Sequence, residues 1–260
     1  MNILFLGDIF GRGGREIVLS SLSRLKKQYN IDFTIINAEN SAHGKGITVR
    51  IYNEFINNGV DCITLGNHAY SKSEICASIN QTPNLIFPIN HKQYDERCLY
   101  YKIYIIKGIK FCVTNILGEA LIPETSFNQY EAMDIVLDDT KNLGIDFYLV
   151  DAHFETTGEK RLFAEYYKDY AKIVLGTHTH IQTSDEQIIN NDQAFITDVG
   201  MCGPFNSVLG RDINEMLEKR DGLKTYFTVS ESKPILQGVV ISINEFTKKV
   251  ESIIRIQERP

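Results

Sequence analysis

The stretch Asn2-Ile3-Leu4-Phe5-Leu6-Gly7-Asp8-Ile9-Phe10-Gly11-Arg12-Gly13-Gly14 decides the fold. Residues 2–7 read as a short apolar strand that stops at an aspartate and opens into a glycine-rich turn. Ile17, Leu19, Leu22 and Leu25 then recur as one face of a helix. Residues 32–37 form the next predicted buried strand, 49–58 a helix and 61–66 a third strand. Strands alternating with helices at this spacing predict parallel βαβ units.

Further along, residues 99–106 and 110–116 are β-rich runs joined by Lys107-Gly108-Ile109, a hairpin signal. A helix is expected over 129–143, and strands over 147–152 and 173–176. The C-terminal part reads as hairpins again, with a turn at Asn190-Asn191-Asp192 and a late strand over 236–243. No repeat or linker interrupts the chain, so one α/β domain over 1–260 is expected, a central sandwich with antiparallel additions.

The strand ends carry the chemistry. The first strand ends at Asp8, the second at Glu39-Asn40 and the third at Asn67-His68. The strand over 147–152 ends at His153, and the one over 173–176 runs into His178 and His180. In open α/β sheets ligands bind at the carboxyl ends of the strands. A packing explanation would put apolar residues there, and a surface explanation lysine and glutamate. Imidazole, carboxylate and amide oxygen without thiolate suit manganese, iron, zinc or related divalent ions. A carboxylate can bridge two such ions about 3.5–4 Å apart, as in phosphatases and nucleases, and Glu39 is the candidate bridge.

Plainer readings stand beside these. Asp8 alone could cap the following helix. Presenting both His178 and His180 to one ion pair requires a bend in the backbone. His43 and His91 read as structural or surface residues, and Lys26-Lys27 and Lys248-Lys249 as solvated faces. The glycines at 7, 11, 13 and 14 do not match G-x-G-x-x-G, which argues against a dinucleotide loop.

In this order Gly7-Asp8, Glu39-Asn40, Gly66-Asn67-His68, His153 and Gly176-Thr177-His178-Thr179-His180 resemble the calcineurin-like metallophosphoesterase pattern. More narrowly the chain is similar to the YmdB-type branch. Gly7 to Gly11, Asn37-Ala38-Glu39-Asn40, Gly44-Lys45-Gly46-Ile47-Thr48, residues 176–185 and Thr197-Asp198-Val199-Gly200-Met201 carry the likeness. It implies a β-sandwich of two mixed sheets flanked by helices, and a two-metal site. Asp8, Glu39, Asn40 and His180 would hold one ion, and Glu39, Asn67, His153 and His178 the other. His68 would protonate the leaving oxygen or stabilise the transition state. Phe10 stands where the broader superfamily has a histidine, and Asn40 would supply the missing ligand. The implied activity is hydrolysis of cyclic nucleotides, notably 2′,3′-cyclic nucleoside monophosphates, by metal-activated water, with iron or manganese expected and zinc open. The chain departs from the branch at Ala69-Tyr70-Ser71, where tryptophan and aspartate are usual, and around Phe87-Pro88-Ile89-Asn90; both bear on substrate preference. A phosphomonoesterase or protein phosphatase is the alternative within the enzyme class. A metal-containing regulatory protein that binds a nucleotide or RNA is the alternative outside it.

Composition bounds the rest. A net charge of −6 argues against a broad basic nucleic-acid surface, so RNA as a partner has no support of its own. No run approaches the roughly 20 apolar residues of a membrane span. The opening residues lack the basic leader of a signal peptide, so a cytoplasmic protein is expected. The five cysteines form no CxxC pair and are expected as reduced thiols, with Cys62 and Cys112 filling core. A homo-oligomer is expected from the family resemblance alone.

Overall fold

The computed structural model describes residues Met1–Pro260. In chain order the elements are β1 (Asn2–Leu6), β2 (Asp8–Ile9), α1 (Gly11–Gln28), β3 (Phe33–Asn37), α2 (Val49–Asn57), β4 (Cys62–Thr64) and α3 (Ser73–Ala77). After a 3₁₀ turn come β5 (Leu85–Ile86), β6 (Tyr101–Ile106), β7 (Ile109–Leu117), α4 (Gln129–Thr140), β8 (Phe147–His153), α5 (Thr157–Tyr166) and β9 (Ile173–Thr177). The chain closes with β10 (Gln187–Ile189), β11 (Gln193–Ile196), β12 (Met201–Pro204), α6 (Ile213–Arg220), β13 (Pro234–Ile243) and β14 (Val250–Glu258).

Two mixed sheets form. One has eight strands in the order β2-β12-β13-β1-β3-β4-β5, with β14 also on β13; the other has six in the order β10-β11-β9-β8-β7-β6. β1, β3 and β4 run parallel in the first sheet, as β7, β8 and β9 do in the second. The expected architecture is therefore present. No helix is long and apolar enough to cross a membrane.

Strand periodicity sorts the side chains into layers. Ile3, Phe5, Phe33, Ile35 and Cys62 meet Phe111, Val113, Phe147, Leu149 and Leu175 between the sheets. Their alternates Leu4, Leu6, Ile36 and Ile63 pack under α1 and α2 through Val18, Leu22, Leu25 and Phe55. On the far side Cys112, Val150, Ala152 and Val174 pack against Met133, Val136 and Phe163 of α4 and α5. Four layers result, and both faces of the central strands are buried, which is why those strands read as continuous apolar runs.

Several boundaries differ from the sequence reading. Helix α1 begins at Gly11, inside the expected turn, and its buried face runs through Gly14, Val18, Leu22 and Leu25, with Ile17 and Leu19 half-buried beside it. A Cβ on Gly14 would overlap the Cys202 carbonyl of β12, so glycine in this first turn seats the helix directly on the sheet. Phe10 occupies the N-cap position and offers no side-chain cap, which removes the capping role for Asp8. Helix α4 stops at Thr140, whose hydroxyl turns back to Val136 O and to Tyr148 Oη. The hairpin between β6 and β7 turns at Lys107 and Gly108, both at positive φ, 50° and 79°. Asn190 and Asn191 at φ 53° and 63° make the β10–β11 turn.

Candidate metal centre

The parallel strands of both sheets discharge their carboxyl ends at one edge, and every residue read from the sequence as a ligand gathers there. Asp8, Glu39, Asn40, His153 and His180 are buried. Two groupings form around them. In one, His180 Nε2 lies 3.5 Å from Asp8 Oδ2 and 3.2 Å from Asn40 Oδ1. In the other, His153 Nε2 lies 3.4 Å from Glu39 Oε2, 3.2 Å from Asn67 Oδ1 and 3.0 Å from His178 Nδ1. Donor atoms of Glu39, His153 and His178 all fall within 4.8 Å of one another. His68 follows Asn67; its backbone N–H donates to Glu39 Oε2 at 3.0 Å, and its side chain lines the adjoining cavity.

The bend required by His178 and His180 is present. Strand β9 ends at Thr177, and the two histidines adopt φ of 93° and 65°, the left-handed region that non-glycine residues rarely occupy. His178 N–H donates to Asp8 Oδ2 at 2.9 Å, tying the bent loop to the first strand's end. This geometry sends His178 to one grouping and His180 to the other. A Cβ on Gly66 would overlap both Glu39 Oε2 and His153 Nε2, so only glycine lets the third strand's end approach so closely.

Each imidazole is oriented by its other nitrogen. His180 Nδ1 donates to Leu209 O at 3.1 Å, and His178 Nε2 lies 3.0 Å from Glu155 Oε2. His153 Nδ1 meets Thr177 Oγ1 at 2.8 Å, and that hydroxyl in turn donates to Asp151 Oδ1 at 2.6 Å. Metal-binding histidines characteristically hold their second ring nitrogen against an oxygen acceptor in this way. Asn40 Nδ2 donates to Gly44 O at 3.0 Å, which turns its oxygen toward His180.

Charge supplies the fit test for a bound cation. Burial, reinforced by Glu39, pushes Asp8 well above the usual carboxylate range against the pull of His153. Burial works against the charged forms of His153 and Glu39, yet their mutual attraction wins. It raises His153 to about 9 and holds Glu39 below its ordinary value. Burial and the His153 charge lower His178 to about 3, and burial lowers His180. A neutral His180 with its proton committed to Leu209 points an Nε2 lone pair at two oxygens. Asp8 Oδ1 is buried with no hydrogen-bond partner. Asp8, Glu39 and Asp151 are all buried here, and the one buried lysine, Lys160, is already paired with Asp198 at 2.9 Å. The single positive charge among these carboxylates is the His153 imidazolium, whose place a bound cation would take, so the buried oxygen and nitrogen donors fit divalent cations.

Supporting residues escaped the sequence reading. Lys160 Nζ donates to Thr177 O at 2.8 Å, while Asp198 Oδ2 accepts from Thr179 N at 3.1 Å and Thr179 Oγ1 at 2.8 Å. This ion pair grips the histidine loop from behind. Asp151 also accepts from Asn37 Nδ2 at 2.9 Å and Thr64 Oγ1 at 2.5 Å, joining three strands under the site. A carboxylate inside the mainly apolar run 147–152 was the available signal for Asp151. His43 is exposed, as expected. His91 is buried rather than superficial: its Nδ1 accepts from Gln93 N at 3.0 Å, so Nε2 donates to Asn67 O at 3.1 Å. The two departures from the family pattern touch each other, Tyr70 packing on Phe87 with ring centroids 5.4 Å apart, and neither lines the cavity.

That cavity, about 280 Å³, opens beside Glu39, Asn40, His68, His178 and His180. A larger one, about 810 Å³, lies between α4, α5 and β8 among Tyr148, Tyr166, Tyr167 and Tyr170. It holds none of the converging donors, so chemistry belongs to the smaller.

A family model described as YmdB-like protein matches residues 4–256. The chain belongs to the YmdB-like family. Among its relatives is the 2′,3′-cyclic-nucleotide 2′-phosphodiesterase of Bacillus subtilis, 40% identical over 259 residues, 98% of this chain and 96% of that protein. A crystal structure of a phosphatase from Mycoplasma pneumoniae superposes with a TM-score of 0.92 at 33% identity, covering 99% of this chain and 93% of that one. A protein from Thermus thermophilus gives 0.90 at 27% identity with 99% of both chains covered. Membership in the YmdB-like family agrees with the expectation of a phosphoric ester hydrolase.

Proposed function

We propose that this member of the YmdB-like family is a two-metal phosphodiesterase that opens 2′,3′-cyclic nucleoside monophosphates to monoesters. The observation that carries the reading is the cluster of buried lone pairs around Glu39, with His180 aimed at Asp8 and Asn40, and His153 aimed at Asn67 and His178. Asp8, Glu39, Asn40 and His180 would hold one ion, and Glu39, Asn67, His153 and His178 the other, with Glu39 between them. Bound divalent ions supply Lewis acidity toward phosphoryl oxygens and lower the pKa of water. The absence of thiolate from the donor set favours iron or manganese, with zinc also compatible.

The chain's own residues do the rest. Thr177, Glu155 and Leu209 O fix the three imidazoles, so the donors are oriented before substrate arrives. As water oxygen bonds to phosphorus, the bond to one ribose oxygen breaks, and that oxygen needs a proton. His68, on the cavity wall beside Asn67, is placed to hold and deliver it. The reading takes residues 1–260 as one domain, because β13 and β14 from the end of the chain complete the sheet that β1 begins. A cytoplasmic site of action and a homo-oligomeric state belong to the same reading, and sedimentation tests the second.

The test is hydrolysis of 2′,3′-cyclic AMP and bis-p-nitrophenyl phosphate with manganese or iron, and with chelator, by the parent and by Glu39→Gln. Metal-dependent turnover that disappears in the variant is expected. Parental rates in Glu39→Gln would refute the centre. Release of inorganic phosphate from monoesters in preference to ring opening would favour the phosphomonoesterase.

A further inference from the structure

One wall of the cavity is unused by the metal centre. Phe227 lines it and is 41% exposed. Its ring is held firmly. Phe10 stacks beside it at 6.4 Å between centroids and 25° between planes. The Arg211 guanidinium carbon lies 4.7 Å from its centroid. Arg211 is in turn clamped by Glu215, Nε to Oε2 at 3.1 Å and Nη2 to Oε1 at 2.5 Å. Gly44 abuts the ring edge so closely that a Cβ there would lie 2.7 Å from two of its carbons. The exposed Lys45 ammonium lies 5.8 Å over the same ring and joins no ion pair.

A fixed, half-exposed aromatic plate flanked by a free cation, a few side chains from a phosphoryl-transfer centre, matches the two halves of a nucleotide. Bases stack on aromatic faces whatever their sequence of hydrogen-bonding groups. An unpaired ammonium on a chain of net charge −6 is suited to an anionic phosphate. We propose that Phe227 is the stacking surface for the substrate's nucleobase and Lys45 the counter-charge for its phosphate, with Arg211 positioning the ring. This rests on the cyclic-nucleotide reading and adds the residues that would make the enzyme prefer a nucleotide over a bare cyclic phosphate.

Two measurements test it. The first compares kcat/KM for 2′,3′-cyclic AMP with that for glycerol 1,2-cyclic phosphate, which has the phosphodiester ring without a base. Phe227→Ala should lower the ratio about 5- to 150-fold, mainly through KM, the range expected for loss of one stacking contact. Phe227→Trp should restore it. Lys45→Met should lower kcat/KM for both substrates and leave the ratio near the parental value. An unchanged ratio in Phe227→Ala overturns the stacking role, and unchanged constants in Lys45→Met overturn the charge role. The second is optical. The chain has no tryptophan, so Phe227→Trp installs the only indole in the wall, read by selective excitation apart from the tyrosines. Adenosine 2′-monophosphate should quench it in a saturable manner and inorganic phosphate should not. Equal response to both, or to neither, overturns the proposal. Parent protein that turns over neither substrate would sink the diesterase reading, while the fluorescence titration still decides the subsite.

Discussion

Replacing Lys160 by methionine isolates the support behind the histidine loop. Lys160 and Asp198 are both fully buried, and their contact spans 38 residues of sequence. Methionine keeps most of the side-chain volume, so the cavity contribution is small and the electrostatic one dominates. Removing one partner of a buried pair costs about 3–5 kcal/mol, because the survivor is left charged in a poor solvent. Asp198 retains three donors, Thr179 N, Thr179 Oγ1 and Gly200 N, which places the loss toward the lower end. Near 3 kcal/mol, the melting temperature should fall by roughly 6–12 °C, at about 2–4 °C per kcal/mol for a chain of this size. The measurement is thermal and urea unfolding in chelator, so that ion binding does not add its own stabilisation. Lys160→Met with Asp198→Asn should recover part of the loss, since the stranded charge is gone, and the cycle should show a coupling well outside additivity. A single variant that melts within about 1 °C of the parent, or a double variant that is simply additive, would refute the argument.

Gly66→Ala should abolish metal-dependent turnover and weaken ion binding while the secondary structure persists, because the added methyl collides with Glu39 and His153 rather than with the core; parental metal binding by calorimetry would contradict this. Thr177→Val keeps the shape but removes the acceptor for His153 Nδ1 and a donor to Asp151, and metal affinity should fall about 10- to 100-fold. Unchanged affinity would mean that the hydroxyl does not orient the ring. Burial raises the thiols of Cys62 and Cys202 to about 12 and that of Cys98 to about 11, and also raises Cys112 and Cys76. A raised thiol pKa means less thiolate at a given pH. At pH 8 the native protein should therefore react with a thiol reagent only at half-buried Cys76, slowly and faster as pH rises, with the other four appearing on unfolding; prompt reaction of four or five would refute the burial.

The parts of the fold that were legible are those written in contiguous apolar runs. Strands β1, β3, β4, β7, β8 and β9 are such runs, and all but β7 end where a polar donor begins, so the edge that gathers the donors could be read together with the sheets. Helix α5 was missed although its start is marked: Thr156 caps it by accepting from Glu159 N at 3.3 Å, and Glu159 reaches back to the Thr156 hydroxyl at 2.9 Å. Asp212, three residues before Glu215, marks α6 in the same way. Strand β12 was missed because Met201-Cys202-Gly203-Pro204 has neither the length nor the branched residues of a strand, and it pairs because Asp8 and Ile9 lie beside it.

The same division runs through the site. A ligand is a residue type at a strand end, visible one position at a time. What makes it a ligand is a partner far away in sequence, and pairwise burial leaves no local trace. Lys160 looks like one more lysine on a helix until α5 turns it inward onto Asp198, and His178 and His180 look like ordinary loop histidines until their φ angles are known. Holding two non-glycine residues in the left-handed region costs on the order of 1–3 kcal/mol each. The loop stays there because it is fixed on both sides. Behind it, Lys160 and Asp198 bind Thr177 O and the Thr179 backbone; in front, Asp8 accepts from His178 N and Leu209 O accepts from His180 Nδ1. The front contacts belong to carboxylates and imidazoles that lack positive charge, and the rear contacts to a pair that already has it. The rear can therefore hold the bend without ions, and on the proposed two-metal reading the front would gain further stability on binding cations, to which the folded chain would present preformed donors.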